Sequence, residues 1–193
     1  MGRNKEFDYE QKLDTALNLF WTQGYHVTSI SDLESHMGIN RSSIYPTYGD
    51  KKELLIKCLT KYLKSKVSEY EGILHGGQTD AIENLRRILQ LSVDQSIKEE
   101  RTCLAVKIAF EIALTDEDVR LLLANNEKKI EDVYFETLKA GQTQGCVKKD
   151  LDSRLTADFF ACSSSALFKN YALNKNRRAV YDMIETLIHM IKA

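Results

Sequence analysis

Proline is almost missing from this chain: 193 residues hold one, Pro46, and only nine glycines. A sandwich or barrel turns about every dozen residues and draws on these two residue types, so the shortage argues for helices. Long hydrophobic runs are missing as well. None approaches the roughly 20 residues that a membrane helix needs. Met1-Gly2-Arg3-Asn4-Lys5-Glu6 puts no apolar segment behind its charges, so no secretory signal is expected and the cytoplasm is the expected address. Cys58, Cys103, Cys146 and Cys162 are widely spaced, as are the four histidines, and C-x-x-C does not occur. That argues against structural zinc and a disulfide framework, so no metal and no cofactor is expected.

Charge of one sign is missing too. The 27 basic and 28 acidic residues leave a net charge of −1. Residues 1–66 carry 10 basic against 8 acidic and the remainder 17 against 20, a split of +2 and −3 too small to name a partner. There is no G-x-S-x-G, no phosphate loop and no tight acid–base pair, which argues against an enzyme. What is present, 43% hydrophobic and 28% charged residues, is the balance of a globular protein.

Helical periodicity runs through nearly all of it. Asp8 is an acid cap ahead of Leu13, Ala16, Leu17, Phe20 and Trp21, a one-sided stripe that Gly24 stops. Thr28 or Ser29 caps a short second helix, and Asn40 caps a third from Arg41 to about Thr47. Asp50 with Glu53 forms a capping box for a long fourth helix. Gly72, Gly76 and Gly77 predict a loop over 72–79. Helical patterns then follow from about 82, from about Thr102 to Ala113, from Asp116 to Gly141 or Gly145, from Asp152 or Ser153, and from about Arg177. The reading is all-α, with about nine helices.

The second and third helices, joined by a glycine turn, have the size of a helix-turn-helix. Ile30, Leu33, Met37, Ile39, Ile44 and Tyr48 supply a buried side. Arg41, Ser42, Ser43, Tyr45 and Thr47 are left outward, all hydrogen-bonding and none acidic, which suits base edges and phosphates in a major groove. Lys51 and Lys52 add charge at a helix start, where backbone N–H groups favour phosphate. The bland alternative is a three-helix knot whose polar face is simply solvated.

Two motifs decide between them. Ala16-Leu17-x-Leu19-Phe20-x-x-x-Gly24-Tyr25-x-x-Thr28-Ser29 is followed by Gly38-Ile39-x-x-x-x-Ile44-Tyr45-x-x-Tyr48-x-x-Lys51-x-x-Leu54. Over roughly residues 9–60 this closely resembles the N-terminal domain of TetR-family transcriptional regulators. The resemblance implies a three-helix DNA-binding domain at 1–50, helix four (about 51–71) as connector, and a larger effector-binding and dimerisation domain at 72–193. It implies a homodimeric repressor released from a palindromic double-stranded operator by a small effector. Thr28 and Ser29 would meet the DNA backbone, Arg41, Ser42 and Ser43 base edges, Tyr45 a phosphate, Thr47 backbone or base, and Lys51 another phosphate. This chain departs from the pattern in three places. Thr47 stands where His is frequent, and Tyr48 replaces Phe and needs a partner for its hydroxyl. Pro46 removes a donor, which predicts a distorted or early-ending last turn.

The resemblance also implies a dimer through the last two helices. The residues expected there are Phe160, Leu167, Val180, Ile184, Leu187, Ile188 and Ile191, the other reading being burial within one protomer. Aromatics of the body are candidates for an effector pocket: Phe110, Tyr134, Phe159, Phe168 and Tyr171, or else plain core. Cys103 follows Arg101-Thr102 and is expected in the first turn of a helix, where N–H groups and positive charge favour thiolate. The segment is similar to a cysteine-bearing helix start in an electrophile- and oxidant-sensing TetR subgroup, which usually has Gly where Thr102 stands. An oxidant- or electrophile-responsive repressor acting through Cys103 is therefore an alternative, and a helical protein-interaction adaptor a distant one.

Overall fold

The computed structural model describes residues 7–76 and 80–193, so Gly77 of the expected loop lies outside the described residues. Nine α-helices are present there: α1 (Tyr9–Gln23), α2 (Ile30–Met37), α3 (Arg41–Tyr48), α4 (Lys51–His75), α5 (Ala81–Glu99), α6 (Leu104–Ile108), α7 (Glu117–Gln144), α8 (Ser153–Asn174) and α9 (Arg177–Ile191). A single π turn, Ala109–Ala113, extends α6. Among the described residues the nearest approach to a strand is one isolated bridge, Val147 with Lys192.

Side-chain caps start the helices where short polar residues stand. The carboxylates of Asp8, Asp50, Asp116 and Asp152 each accept a backbone N–H of the first turn, as do Ser29 and Asn40. Ser29 with Asp32 and Asp50 with Glu53 close reciprocal capping boxes. Gly72 does not break the chain: α4 runs through it to His75, because six of its own side chains from Leu54 to Leu63, and then Val67 and Tyr70, are buried along one face.

Two hydrophobic cores result. The first joins Ala16 and Phe20 of α1, Leu33 and Met37 of α2, Ile44 and Tyr48 of α3, and Leu54, Leu55 and Leu59 of α4, all fully buried. It is completed from far along the chain by Leu104, Ile108, Ile112 and Val119. The second joins Leu85, Ile88, Leu89 and Val93 of α5 to Tyr134 of α7, Phe160 of α8 and Val180 and Ile184 of α9. Each such side chain contributes about 1.5–3 kcal/mol through burial. Gly141 lets α7 approach its neighbours, since a Cβ there would stand 2.4 Å from Val147 Cγ2 and 3.0 Å from Ala81 Cβ.

The second core corrects the expected dimer surface. Phe160, Leu167, Val180, Ile184, Ile188 and Ile191 are each at most 3% exposed within one protomer, and Leu187 is half-buried against the same core. The strongest apolar stripe of α9 faces inward because α5 and α8 already cover it. A second apolar face lies on the outside of the same two helices: Leu155, Phe159 and Leu173 on α8, and Met183 and Met190 on α9.

Candidate nucleic-acid interface

α2 and α3 meet at Gly38, whose φ of 63° is the left-handed conformation that glycine adopts without cost. Asn40 Oδ1 then gathers the start of α3. It accepts the Ser43 N–H (3.1 Å) and the hydroxyls of Ser42 (2.7 Å) and Ser43 (3.0 Å). α3 does not end early at Pro46. It continues to Tyr48, and the Gly49 N–H closes it on the Tyr45 carbonyl at 3.0 Å. Pro46 is exposed, so the Ser42 carbonyl left without a helical donor faces water, and burial of Ile44 and Tyr48 holds the turn. The Tyr48 hydroxyl finds its partner in the Tyr9 carbonyl (2.9 Å), with the two rings stacked 4.8 Å apart. Burial, with the neighbouring Tyr9 phenol adding to it, pushes the Tyr48 hydroxyl up to about 12, so it stays a donor.

On the outer side of α3, Arg41, Ser42 and Tyr45 are exposed and Ser43 and Thr47 half-buried. Ser29 is exposed at the start of α2. Arg41 is not loose. Its Nε donates to Glu34 Oε2 and its Nη2 to Ser31 Oγ, both at 2.7 Å, while its backbone N–H donates to Glu34 Oε1 at 2.7 Å. The guanidinium has five N–H donors, so two bonds aim it and leave the rest for a ligand. Nothing in the local spacing announced Glu34 or Ser31, which sit seven and ten residues back on another helix.

Two of the sequence-predicted residues face inward. Thr28 is fully buried, and its hydroxyl donates to the Gly24 carbonyl at 2.6 Å. It fastens the α1–α2 turn and offers no side chain to a phosphate. The Lys51 ammonium donates to the carbonyls of Tyr25 (3.0 Å) and Thr28 (2.9 Å) and lies 4.3 Å from the Tyr25 ring centre. Those carbonyls lack helical donors, which is why the ammonium turns to them. Lys52 reaches the other way, to Asp116 (2.8 Å) and Asp118 (2.7 Å) at the start of α7. Both carboxylates hold its ammonium charged well above the usual lysine range.

Further contacts tie the helix-turn-helix to the body. Trp21 Nε1 donates to the Thr102 carbonyl at 2.6 Å, and the Lys107 ammonium donates to the carbonyls of Trp21 and Thr22. Glu111, in the π turn, accepts the Tyr25 N–H at 2.6 Å. Gly24 has to be glycine for this, with φ at 90° and the Glu111 carboxylate 2.3 Å from where a Cβ would stand.

Behind these contacts lies a cavity of about 60 Å³, lined by Trp21, Tyr62, Tyr70, Cys103, Glu127 and Phe168 among others. Of the expected pocket residues it takes Cys103 and Phe168. Tyr171 lines a smaller neighbouring cavity of about 20 Å³. Tyr134 is plain core, its hydroxyl paired with Ser164 Oγ at 2.9 Å. Phe110 is 83% exposed and Phe159 49%, and neither lines these two cavities, because helical spacing alone does not say which side of a helix is covered. Cys103 is the N-cap residue of α6 rather than a first-turn residue, and its sulfur stands 3.4 Å from the Tyr62 hydroxyl. The Arg101 guanidinium is stacked 4.5 Å over Trp21.

A helix-turn-helix with an outward polar ridge, gripped by a helical body, defines a DNA-binding transcriptional regulator. Comparison with known proteins gives the family. The model for bacterial regulatory proteins of the tetR family matches residues 13–58. The uncharacterized HTH-type transcriptional regulator YezE of Bacillus subtilis is 34% identical over 148 residues, 75% of each chain. The HTH-type transcriptional regulator AcrR of Shigella flexneri is 28% identical over 170 residues, 82% of this chain and 75% of that one. Among solved structures, the TetR-family regulator CifR, a cysteine mutant complexed with 26-base-pair double-stranded operator DNA, superposes with a TM-score of 0.85. It is 26% identical, with 98% of this chain and all of that one covered. The chain belongs to the TetR family of DNA-binding transcriptional regulators, and is not an enzyme. Among the described residues no helix is long and apolar enough to cross a membrane.

Proposed function

We propose that the protein is a homodimeric repressor that holds a near-palindromic operator through α3 of each protomer and leaves it when a small molecule enters the cavity. The observation that carries this reading is the division of α3: Ile44 and Tyr48 are fully buried, while Arg41, Ser42 and Tyr45 form an exposed ridge without an acid of its own. Arg41 reads a base edge, Ser42 and Ser43 contact base or phosphate, and Ser29, Tyr45 and Thr47 contact the backbone. Thr28 and Lys51 serve the interface by fixing the turn behind it. Residues 1–50 form the reading head, α4 the connector, and residues 72–193 the effector and dimer body, with α6 packing back onto the head's core. The outer apolar face of α8 and α9 supports pairing of two copies, and two-fold pairing demands a two-fold operator.

Release follows from the size of the cavity. About 60 Å³ holds about four waters, so a drug-sized ligand has to move its walls. One wall is Trp21, and Thr102, Lys107 and Glu111 grip the end of α1 beside it. Widening there shifts the head relative to the body, and thus the distance between the two copies of α3. Selection of bound duplexes from a random pool tests the reading: a palindrome is expected, and recovery of random sequence contradicts it.

One observation favours a second, thiol-based release: Cys103 lines the cavity and is only partly buried. Treatment with a quinone or hypochlorite should then free the operator. If a Cys103→Ser protein responds as the parent does, this second route is rejected.

A further inference from the structure

We infer that the cavity selects a cationic, apolar effector, with Glu127 supplying the counter-charge and Trp21, Tyr62, Tyr70 and Phe168 the apolar walls. This rests on the reading of the cavity as the effector site. Two charged side chains line the cavity, and they differ in what surrounds them. The Lys66 ammonium is largely buried and already paired, 2.8 Å from Glu69 Oε2, so its charge is answered within α4. Glu127 is partly buried and makes no hydrogen bond or ion pair with any described residue.

A carboxylate removed from water without a partner is costly, and burial, with Glu131 one turn on adding to it, raises its proton affinity. The groups that feel its charge are the phenols of Tyr70 and Tyr134. Among the described residues no cation pairs with it: Lys66 is held by Glu69, and the Arg101 guanidinium is stacked on Trp21. A ligand bearing a fixed positive charge would supply one, and the aromatic faces around it attract cations through their quadrupoles. A neutral ligand would leave Glu127 unanswered, and an anion would add repulsion in a space where water screens little.

Trp21 is the chain's single tryptophan and lines the cavity, so its emission reports occupancy directly. The probes are benzyltrimethylammonium, its uncharged isostere neopentylbenzene, and the anion phenylmethanesulfonate, titrated into the full-length protein. The ammonium should shift Trp21 emission saturably and bind at least about tenfold more tightly than either of the others. With Glu127→Gln that preference should fall to within about twofold. Equal affinity for the ammonium and its isostere in the parent protein overturns the inference, as does tighter binding of the sulfonate, and neither result needs the variant to fold. Operator release measured alongside separates the two claims. Saturable ammonium binding without release supports the charge preference and defeats the effector reading. Release by uncharged ligands that show no charge preference does the reverse.

Discussion

The two cores of this molecule are built on opposite terms. The first is made of α1, α2, α3 and the first half of α4, each helix bounded by its own cap and glycine, and is closed by four residues from α6 to α7. The second is made of helices of 15 to 28 residues, of which α8 and α9 also carry exposed apolar side chains. In the first, whatever is polar and outward is left for a ligand. In the second, α8 and α9 have apolar side chains both inward and outward, and only packing decides which become core.

The neighbouring pair Phe160 and Phe159 breaks that comparison most sharply. Phe160→Ala should cost about 3–5 kcal/mol in guanidinium unfolding, as emptying a filled core site does. Phe159→Ala should leave protomer stability within about 0.5 kcal/mol of the parent, as a surface substitution does. Phe159→Asp should instead raise the concentration at which the protein becomes a monomer by sedimentation. Gly141→Ala should cost about 1–3 kcal/mol, because Val147 and the start of α5 leave no room for a methyl group. Loss of the α3 cap in Asn40→Ala should cost about 1 kcal/mol and lower operator affinity, with the second core unaffected in hydrogen exchange. A small effect on stability is also expected for Lys52→Ala. Its partners are partly exposed, so unfolding should move by under about 1 kcal/mol. The head–body contact loosens all the same, and operator binding measured with and without effector should differ less than in the parent.

The same contrast explains what was legible beforehand. The first core's helix starts were readable because Ser29, Asn40 and Asp50 act on N–H groups within three residues of themselves, a signal wholly local to the chain. The buried side of the helix-turn-helix was readable for the same reason. Pro46 misled because its local cost is overruled by the anchoring of Tyr48 on Tyr9. Lys51 and Thr28 misled because the carbonyls they serve are exposed only once α1 and α4 have packed. Glu34 and Glu111 went unseen since their bonds cross from one helix to another. In the second core the apolar stripe of α9 was plain, but periodicity cannot tell burial under α5 and α8 from burial under a second copy. For the cavity, Trp21 and Glu127 come from helices 100 residues apart, and only the fold puts them together.

Repeating the selection of bound duplexes with an Arg41→Ala protein tests the central claim, that α3 reads sequence from outside the protomer, most directly. The palindrome should survive with its preference relaxed at one base pair in each half, at a cost of about 1–3 kcal/mol per half-site, while the remaining positions hold. An unchanged preference at every position would show that α3 does not read the duplex through Arg41, and would contradict the account.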